Sequence, residues 1–324
     1  MEPYQRLESE LAPWCGMPHV AVCSSGTAAL HLALEALRLP QGSEVIVPDF
    51  AMYACAAAVR MAGLVPVFVD CGPELNMNQL HIHNYKLLES KAILGVHTYG
   101  RQMDMDRLTR YACMQDWFVI EDMAELHGVH PCPQTDLACW SFYKNKIVAG
   151  EEGGCVASDN PELIDRVRQL RNLGFTEDHD FTHIPRGVNA RLSNANAGLI
   201  LDSLRAFQGE KACRRTIEGW YDSLCPSEWK QPPRQSPWVY DIRIPGMARD
   251  KQDRVVKALK DAGIQARHAF KPLSQQEEFR GCRLIRGDRH EAEIASREVI
   301  YLPIQPGTTT RESAEMAIRF LLSL

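Results

Sequence analysis

The chain has no surplus of positive charge: 36 Lys and Arg against 41 Asp and Glu give a formal net charge of −5 at pH 7. Without a basic field, nucleic acid is not expected as a partner. No apolar run reaches the roughly 20 residues needed to cross a bilayer, so no membrane contact is expected. The opening "MEPYQRLESE" is polar and acidic and carries no signal-peptide pattern. The 11 cysteines are scattered, with no Cys-x-x-Cys pair. They read as small core residues in a reducing cytoplasm rather than as a disulfide framework. Metal-like spacing occurs in "HIH" (His81, His83), read as part of a strand. No third ligand lies nearby in sequence, so no metal is expected. Internal repeats and low-complexity segments are also missing.

What is present is an alternation. "TAALHLALEALRL" has apolar residues at helical spacing, and after it come "EVIVP", a helical "YACAAAVRMAG", "VPVFVD", "KAILGVH", a helical "DMDRLTRYACMQ", "FVIED" and "ACWSFY". Short β-branched runs alternating with helices predict a mainly parallel sheet wrapped by helices. Two helical stretches then flank the loop "TEDHDFTHIPRGVNARLSN", and the remainder reads as smaller α+β elements. With 324 residues, one large and one smaller domain are expected. The fold class predicted is α/β, with a large domain over residues 1–208 and a small C-terminal α+β domain over 209–324.

In open α/β sheets, ligands gather at the carboxyl ends of the strands. "SSGTAAL" puts Ser25, Gly26 and Thr27 at a helix N-terminus, where free N–H groups and the dipole favour a phosphate. A simple N-cap by Ser24 or Ser25 explains the same residues. "VIED" ends a buried strand in Glu121 and Asp122, where an aspartate is more often a turn former or a cap. Ser141 closes the next strand, and "SFYKNKIVAGEEGG" follows with two lysines, Lys144 and Lys146. Each signal is weak alone; their order along the chain is not.

Phosphate cradle, strand-end Asp, strand-end Ser and a following lysine resemble the arrangement that holds pyridoxal 5′-phosphate (PLP). The chain is similar to the DegT/DnrJ/StrS family of sugar aminotransferases, of the fold type I (aspartate aminotransferase-like) architecture. The resemblance runs from about Tyr4 to Leu324. It rests on "SSGTAALHLAL", "EVIVPDF", "VPVFVD", "GVHTYGRQMDMD", "VIEDMAELHG", "SFYKNKIVAGEEGG", "LRNLGF", "GVNARLSNANAGL" and "YLPIQP".

The resemblance assigns roles. The family's cofactor-carrying lysine lies five residues after the serine of Ser-Phe, which selects Lys146 as catalytic nucleophile and leaves Lys144 solvated. Lys146 would take up the cofactor's aldehyde and then act as the proton-moving base, for which it needs a depressed pKa. Asp122 would pair with the pyridine N–H. Ser25, Gly26, Thr27 and Ser141 would bind the phosphate. Glu125 falls where the family has Gln, His or Glu near the 3′-hydroxyl; a solvated helix residue is the equal alternative. In "GVNARLSN", Asn189 corresponds to an asparagine that reaches the neighbouring subunit's phosphate, which implies a homodimer with shared sites. Arg191 and Asn194 are read as shaping that loop, and His97 as shaping another by a hydrogen bond. Arg267 and Lys271 in "RHAFKPL" sit where family members contact the nucleotide-sugar, with surface solvation equally open.

Two departures stand out. The ring-stacking aromatic of the family is Met52 here, with Tyr53 beside it as a substitute. The family also has a segment before "LESELAPWCG", including a loop near the substrate, and this chain starts almost at that helix. The leading expectation is a transaminase moving an amino group from glutamate or glutamine to a keto-sugar, nucleotide-linked. The alternatives are a PLP enzyme of related chemistry (a sugar dehydratase, or a transaminase for another small carbonyl compound) and a catalytically silent regulatory member. The family's 3-dehydratases carry His in place of the lysine, so Lys146 argues against that branch.

Overall fold

In the computed structural model, residues 2–83, 90–176 and 181–323 are described. The strands in chain order are β1 (His19–Cys23), β2 (Glu44–Pro48), β3 (Val65–Val69), β4 (Ser90–Val96), β5 (Phe118–Asp122), β6 (Leu137–Ser141), β7 (Gly154–Ser158), β8 (Tyr240–Arg243), β9 (Arg267–His268), β10 (Leu284–Ile285) and β11 (Val299–Leu302). An 8-stranded sheet has the order β1-β7-β6-β5-β4-β2-β3-β10. Its neighbours are parallel except at β7, which runs antiparallel to β1 and β6.

The strands are continuous apolar runs because both faces are covered. Ala21, Cys23, Val45 and Val47 point to one side, under the helix Gly26–Ala36. Val20 and Val22 point to the other, where helix Pro3–Cys15 packs Leu7 and Leu11 against Trp140 and Phe142. Ile46 and Ile93 join Met103, Met105 and Leu108 on that same opposite side of the sheet, farther along it. The register sets Val96 beside Asp122 and Asp122 beside Cys139, so the carboxyl ends of β4, β5 and β6 form one rim.

The second sheet has the order β8-β11-β9 and is antiparallel throughout. Its core unites Ile242, Val256, Leu259, Ile300 and Ile318 with Ile217 and Tyr221. The last two lie on the 31-residue helix Asn194–Leu224, which starts at a Ser193 cap and passes without a break through residue 209. β10 returns to the large sheet and pairs with β3, a connection no local pattern in "GCRLIRG" announces. A buried charge network fastens the two sheets together: Arg101 Nη2 lies 2.7 Å from Asp241 Oδ1, while Arg234 reaches Asp241 (2.8 Å) and Glu218 (2.8 Å). Opening such a network by removing one partner is strongly destabilising.

One local expectation is corrected. "HIH" is not on a strand: Gln79–His83 is a short helix. The Asn78 side chain starts it by accepting from the Leu80 N–H (3.1 Å), and Asn78 Nδ2 also meets His81 Nε2 (3.2 Å). Five residues are too few to separate a period of 2 from 3.6, and the asparagine decides. The His83 side chain and residues 177–180 of the "TEDHDF" loop lie outside the described residues.

Candidate active site

A cavity of about 440 Å³ opens at the rim formed by β4, β5 and β6. Its floor and one wall come from the large sheet. Ser25 caps the helix Gly26–Ala36, its hydroxyl accepting from the Ala28 N–H at 3.1 Å. The N–H groups of Gly26 and Thr27 precede the first intrahelical bonds and face the same cavity. A Cβ on Gly26 would stand 2.7 Å from the Ser141 Cβ, so helix and strand end approach closely only because that residue is glycine. The result is a polar cradle of helix N-terminus plus serine hydroxyl.

Asp122 is almost fully buried. Its Oδ1 accepts from the Ala124 N–H (2.9 Å) and its Oδ2 from the Cys55 thiol (3.3 Å). Burial holds that thiol protonated, well above its ordinary range, so it can act only as donor. Glu125, also buried, accepts from the Tyr99 N–H at 2.7 Å. Tyr99 has a left-handed backbone (φ 54°), and the carboxylate offsets part of its strain. Burial raises the Glu125 pKa to about 7 against the pull of Lys146.

Lys146 extends into the cavity from the turn after β6, and Lys144 is exposed. Burial lowers the Lys146 pKa, while Glu125 and Asp122 oppose the shift. Its Nζ lies 3.8 Å from the centroid of the Trp238 ring. The structure therefore gathers Ser25, Gly26, Thr27, Met52, Asp122, Glu125, Ser141, Lys146 and Arg267 around one cavity. A phosphate cradle, a buried carboxylate and an amine of depressed pKa are a donor set that fits PLP. Lys271 and Asn189 are not brought into it: both are exposed and outside the lining. Met52 stands at the rim, 55% exposed. Tyr53 does not take its place, because its hydroxyl bonds Glu278 and its ring packs on Phe279.

The opposite wall was not legible beforehand. Trp238, Phe270 and Tyr301 come from three distant segments and meet around Tyr99, which lies 5.0 Å from Phe270 and 5.7 Å from Tyr301 between ring centroids. Their only advance sign is that "SPWVY", "RHAF" and "VIYLP" adjoin short strands. Arg267, exposed, is the cation of this wall.

The other flagged residues have structural work. His97 Nδ1 accepts from the Met103 N–H (3.0 Å) and its Nε2 meets Glu121 (3.0 Å). Arg191 bonds Asn172 (2.7 Å) and Asn194 bonds Glu2 (2.7 Å). All 11 cysteines are free, and 8 of them, including Cys15, Cys23 and Cys139, are buried. Among the described residues, Asp49, Asp70 and His290 bring three possible ligand atoms within 4.8 Å of one another. These are already engaged: Asp70 accepts from the N–H groups of Glu291 and Ala292, and Asp49 from Ser274 and His290. The trio serves as a helix cap and a clasp.

Comparison with known proteins is consistent with this geometry. The family model of the DegT/DnrJ/EryC1/StrS aminotransferases matches residues 2–319. The chain is 31% identical over 316 residues to the GDP-perosamine synthase of Caulobacter vibrioides, covering 93% of this chain and 85% of the relative. It is 31% identical over 315 residues to the UDP-2-acetamido-2-deoxy-3-oxo-D-glucuronate aminotransferase of Pseudomonas aeruginosa, with the same coverage of 93% and 85%. Among solved structures, S. venezuelae DesV in complex with a ketimine intermediate matches with a TM-score of 0.88 and 27% identity, over 100% of this chain and 89% of that one.

Proposed function

The chain belongs to the DegT/DnrJ/EryC1/StrS aminotransferase family, a PLP-dependent family, and from that premise we propose that it aminates a nucleotide-linked keto-sugar with glutamate or glutamine as donor. The observation that carries this reading is the single cavity joining the Ser25–Thr27 helix end, Asp122, Ser141 and Lys146. Relatives named for GDP- and UDP-linked sugars support the substrate class.

Bound PLP supplies an electron sink for the charge left at the donor's Cα. The protein does the rest. Ser141, Ser25 and the Gly26 and Thr27 N–H groups would hold the phosphate, where a helix N-terminus stabilises negative charge. Asp122, fixed by Ala124 and Cys55, would keep a proton on the ring nitrogen. Lys146 Nζ would carry the cofactor, then remove the proton from the donor's Cα and later deliver one to the former carbonyl carbon. Its lowered pKa keeps a share of the amine neutral for the first of these tasks. Glu125, beside Lys146, would face the cofactor's hydroxyl side. Arg267 would meet the substrate's negative groups, with Lys271 further out.

We further propose a homodimer in which Asn189 completes the partner's phosphate site. Its exposure outside its own chain's cavity supports this. The division into residues 1–208 and 209–324 remains a proposal, bridged by the long helix. The free thiols fit a cytoplasmic protein, and no helix among the described residues is long and apolar enough to cross a membrane.

The test has two halves. L-Glutamate should discharge the PLP-loaded protein, and a keto-sugar nucleotide should recharge it and appear as an amino sugar by mass spectrometry. Discharge with no recharge by any keto-sugar would leave a transaminase for another carbonyl compound. Failure of every donor would favour a regulatory protein.

A further inference from the structure

Arg214 lies about two-thirds of the way along the helix Asn194–Leu224, almost wholly buried. Its Nη2 donates to the carbonyl of Lys146 and its Nη1 to the carbonyl of Trp238, each at 3.3 Å. Its Nε donates to the partly exposed Glu210 carboxylate at 2.8 Å, the single ion pair of this buried cation among the described residues. The two segments it joins meet twice more. The Trp238 indole N–H donates to the Asn145 carbonyl at 3.2 Å, and the Lys146 amine lies over the indole face. One guanidinium thus ties the turn after β6 to the segment before β8, where the two touch through the amine.

We infer that Arg214 is a positioning residue: it fixes the main chains of Lys146 and Trp238 together and so parks the Lys146 amine against the indole face. The inference rests on the reading of Lys146 as the cofactor-carrying lysine. An ammonium over an aromatic face is stabilised without a carboxylate partner. Glu125 and Asp122 draw on the same amine electrostatically, yet neither forms an ion pair with it among the described contacts. A lysine locked to a carboxylate would be a poor base; one resting on an indole can leave. The guanidinium also works by charge. Burial is the main force lowering the Lys146 pKa; of the groups that face it, Glu125 and Asp122 from the β5 end raise it, Arg214 lowers it, and the Cys55 thiol from the helix Tyr53–Met61 is neutral. His127, behind the turn, is neutral, since burial together with Lys146 and Arg214 pushes its pKa to about 3.

The experiment reads Lys146 itself rather than turnover. Full-length protein freed of cofactor is acetylated with acetic anhydride across a pH series, and the Lys146 peptide is quantified by mass spectrometry. Arg214→Met removes the bonds and the cation, so Lys146 should titrate higher and label about threefold more slowly at a pH below its midpoint. Arg214→Lys keeps the charge but cannot bridge both carbonyls, so the amine should lose its rest on the indole, titrate lower and label faster than in the parent. Glu210→Gln leaves the guanidinium uncompensated and should move Lys146 the opposite way from Arg214→Met, to faster labelling. A merely structural role predicts lost stability with an unmoved titration. Identical titration in all variants, a parent-like Arg214→Lys, or equal shifts in Arg214→Met and Arg214→Lys, overturns the inference. If Arg214→Met does not fold, Arg214→Lys decides. Borohydride fixing PLP to a lysine other than Lys146 would instead overturn the functional reading, and the inference with it.

Discussion

The two walls of the cavity are built by different means. On the large-sheet side, three polar groups have fixed partners: Ser25 with Ala28, Asp122 with Ala124 and Cys55, Glu125 with Tyr99. On the side of the C-terminal unit stand three aromatic rings and one exposed arginine, Arg267. Preorganised donors and acceptors suit a group that is the same in every turnover. Apolar rings and a solvated cation suit a ligand that enters, leaves and differs from one relative to the next. On the proposed function the first wall would set the chemistry and the second the substrate, and mutations on the two sides should fail in different ways.

Lys146→Ala should give the largest effect, a loss of about 10⁴-fold or more in both half-reactions, because the base and the attachment point vanish together. Single-turnover absorbance changes with glutamate, and then with keto-sugar, measure it; a variant failing in only one half would break the equivalence of the halves. Asp122→Asn should come next. It keeps the bond from Ala124 but removes the charge and the oxygen that Cys55 donates to, and should slow the donor half by about 10²–10³-fold with PLP still bound.

Arg267→Ala tests the other wall. We expect KM for the keto-sugar nucleotide to rise about tenfold while the rate of discharge by glutamate is unchanged. An equal loss in both halves would show that the arginine serves the donor too, and that the walls are not separate.

The smallest effect is on stability. His127 accepts from the Val148 N–H (3.1 Å) with a neutral ring, its pKa pushed down to about 3. In the unfolded chain it titrates near 6.5, so its contribution is present above that pH and is lost as pH falls towards about 3. Urea midpoints should fall through this window, and His127→Gln, which keeps an acceptor for Val148, should flatten the decline. A decline of unchanged slope would assign the acid sensitivity elsewhere.

The same division governs what could be read in advance. Lys146, Asp122 and Ser141 are legible because the carboxyl ends of consecutive parallel strands put them within short, ordered segments of sequence. Ser25 and Gly26 are legible because a helix start has its own local grammar. Trp238, Phe270 and Tyr301 are not, since their neighbourhood depends on how β8, β9 and β11 dock, which is long-range packing with no spacing of its own. Cys55 looked like any core cysteine; only the Asp122 oxygen beside it gives its thiol a task. Met52, the departure at the ring-stacking position, stands exposed at the rim of the cavity rather than on its floor.

The helix Asn194–Leu224 spans about 46 Å at 1.5 Å per residue. It begins five residues after Asn189, carries Arg214 about two-thirds of the way along and ends in the core of the C-terminal unit. An unbroken rod transmits torque that a flexible linker would dissipate. Any tilt of the aromatic wall would thus be carried along one shaft to the lysine turn, which Arg214 ties to that helix, with no messenger beyond the stiffness of a single backbone.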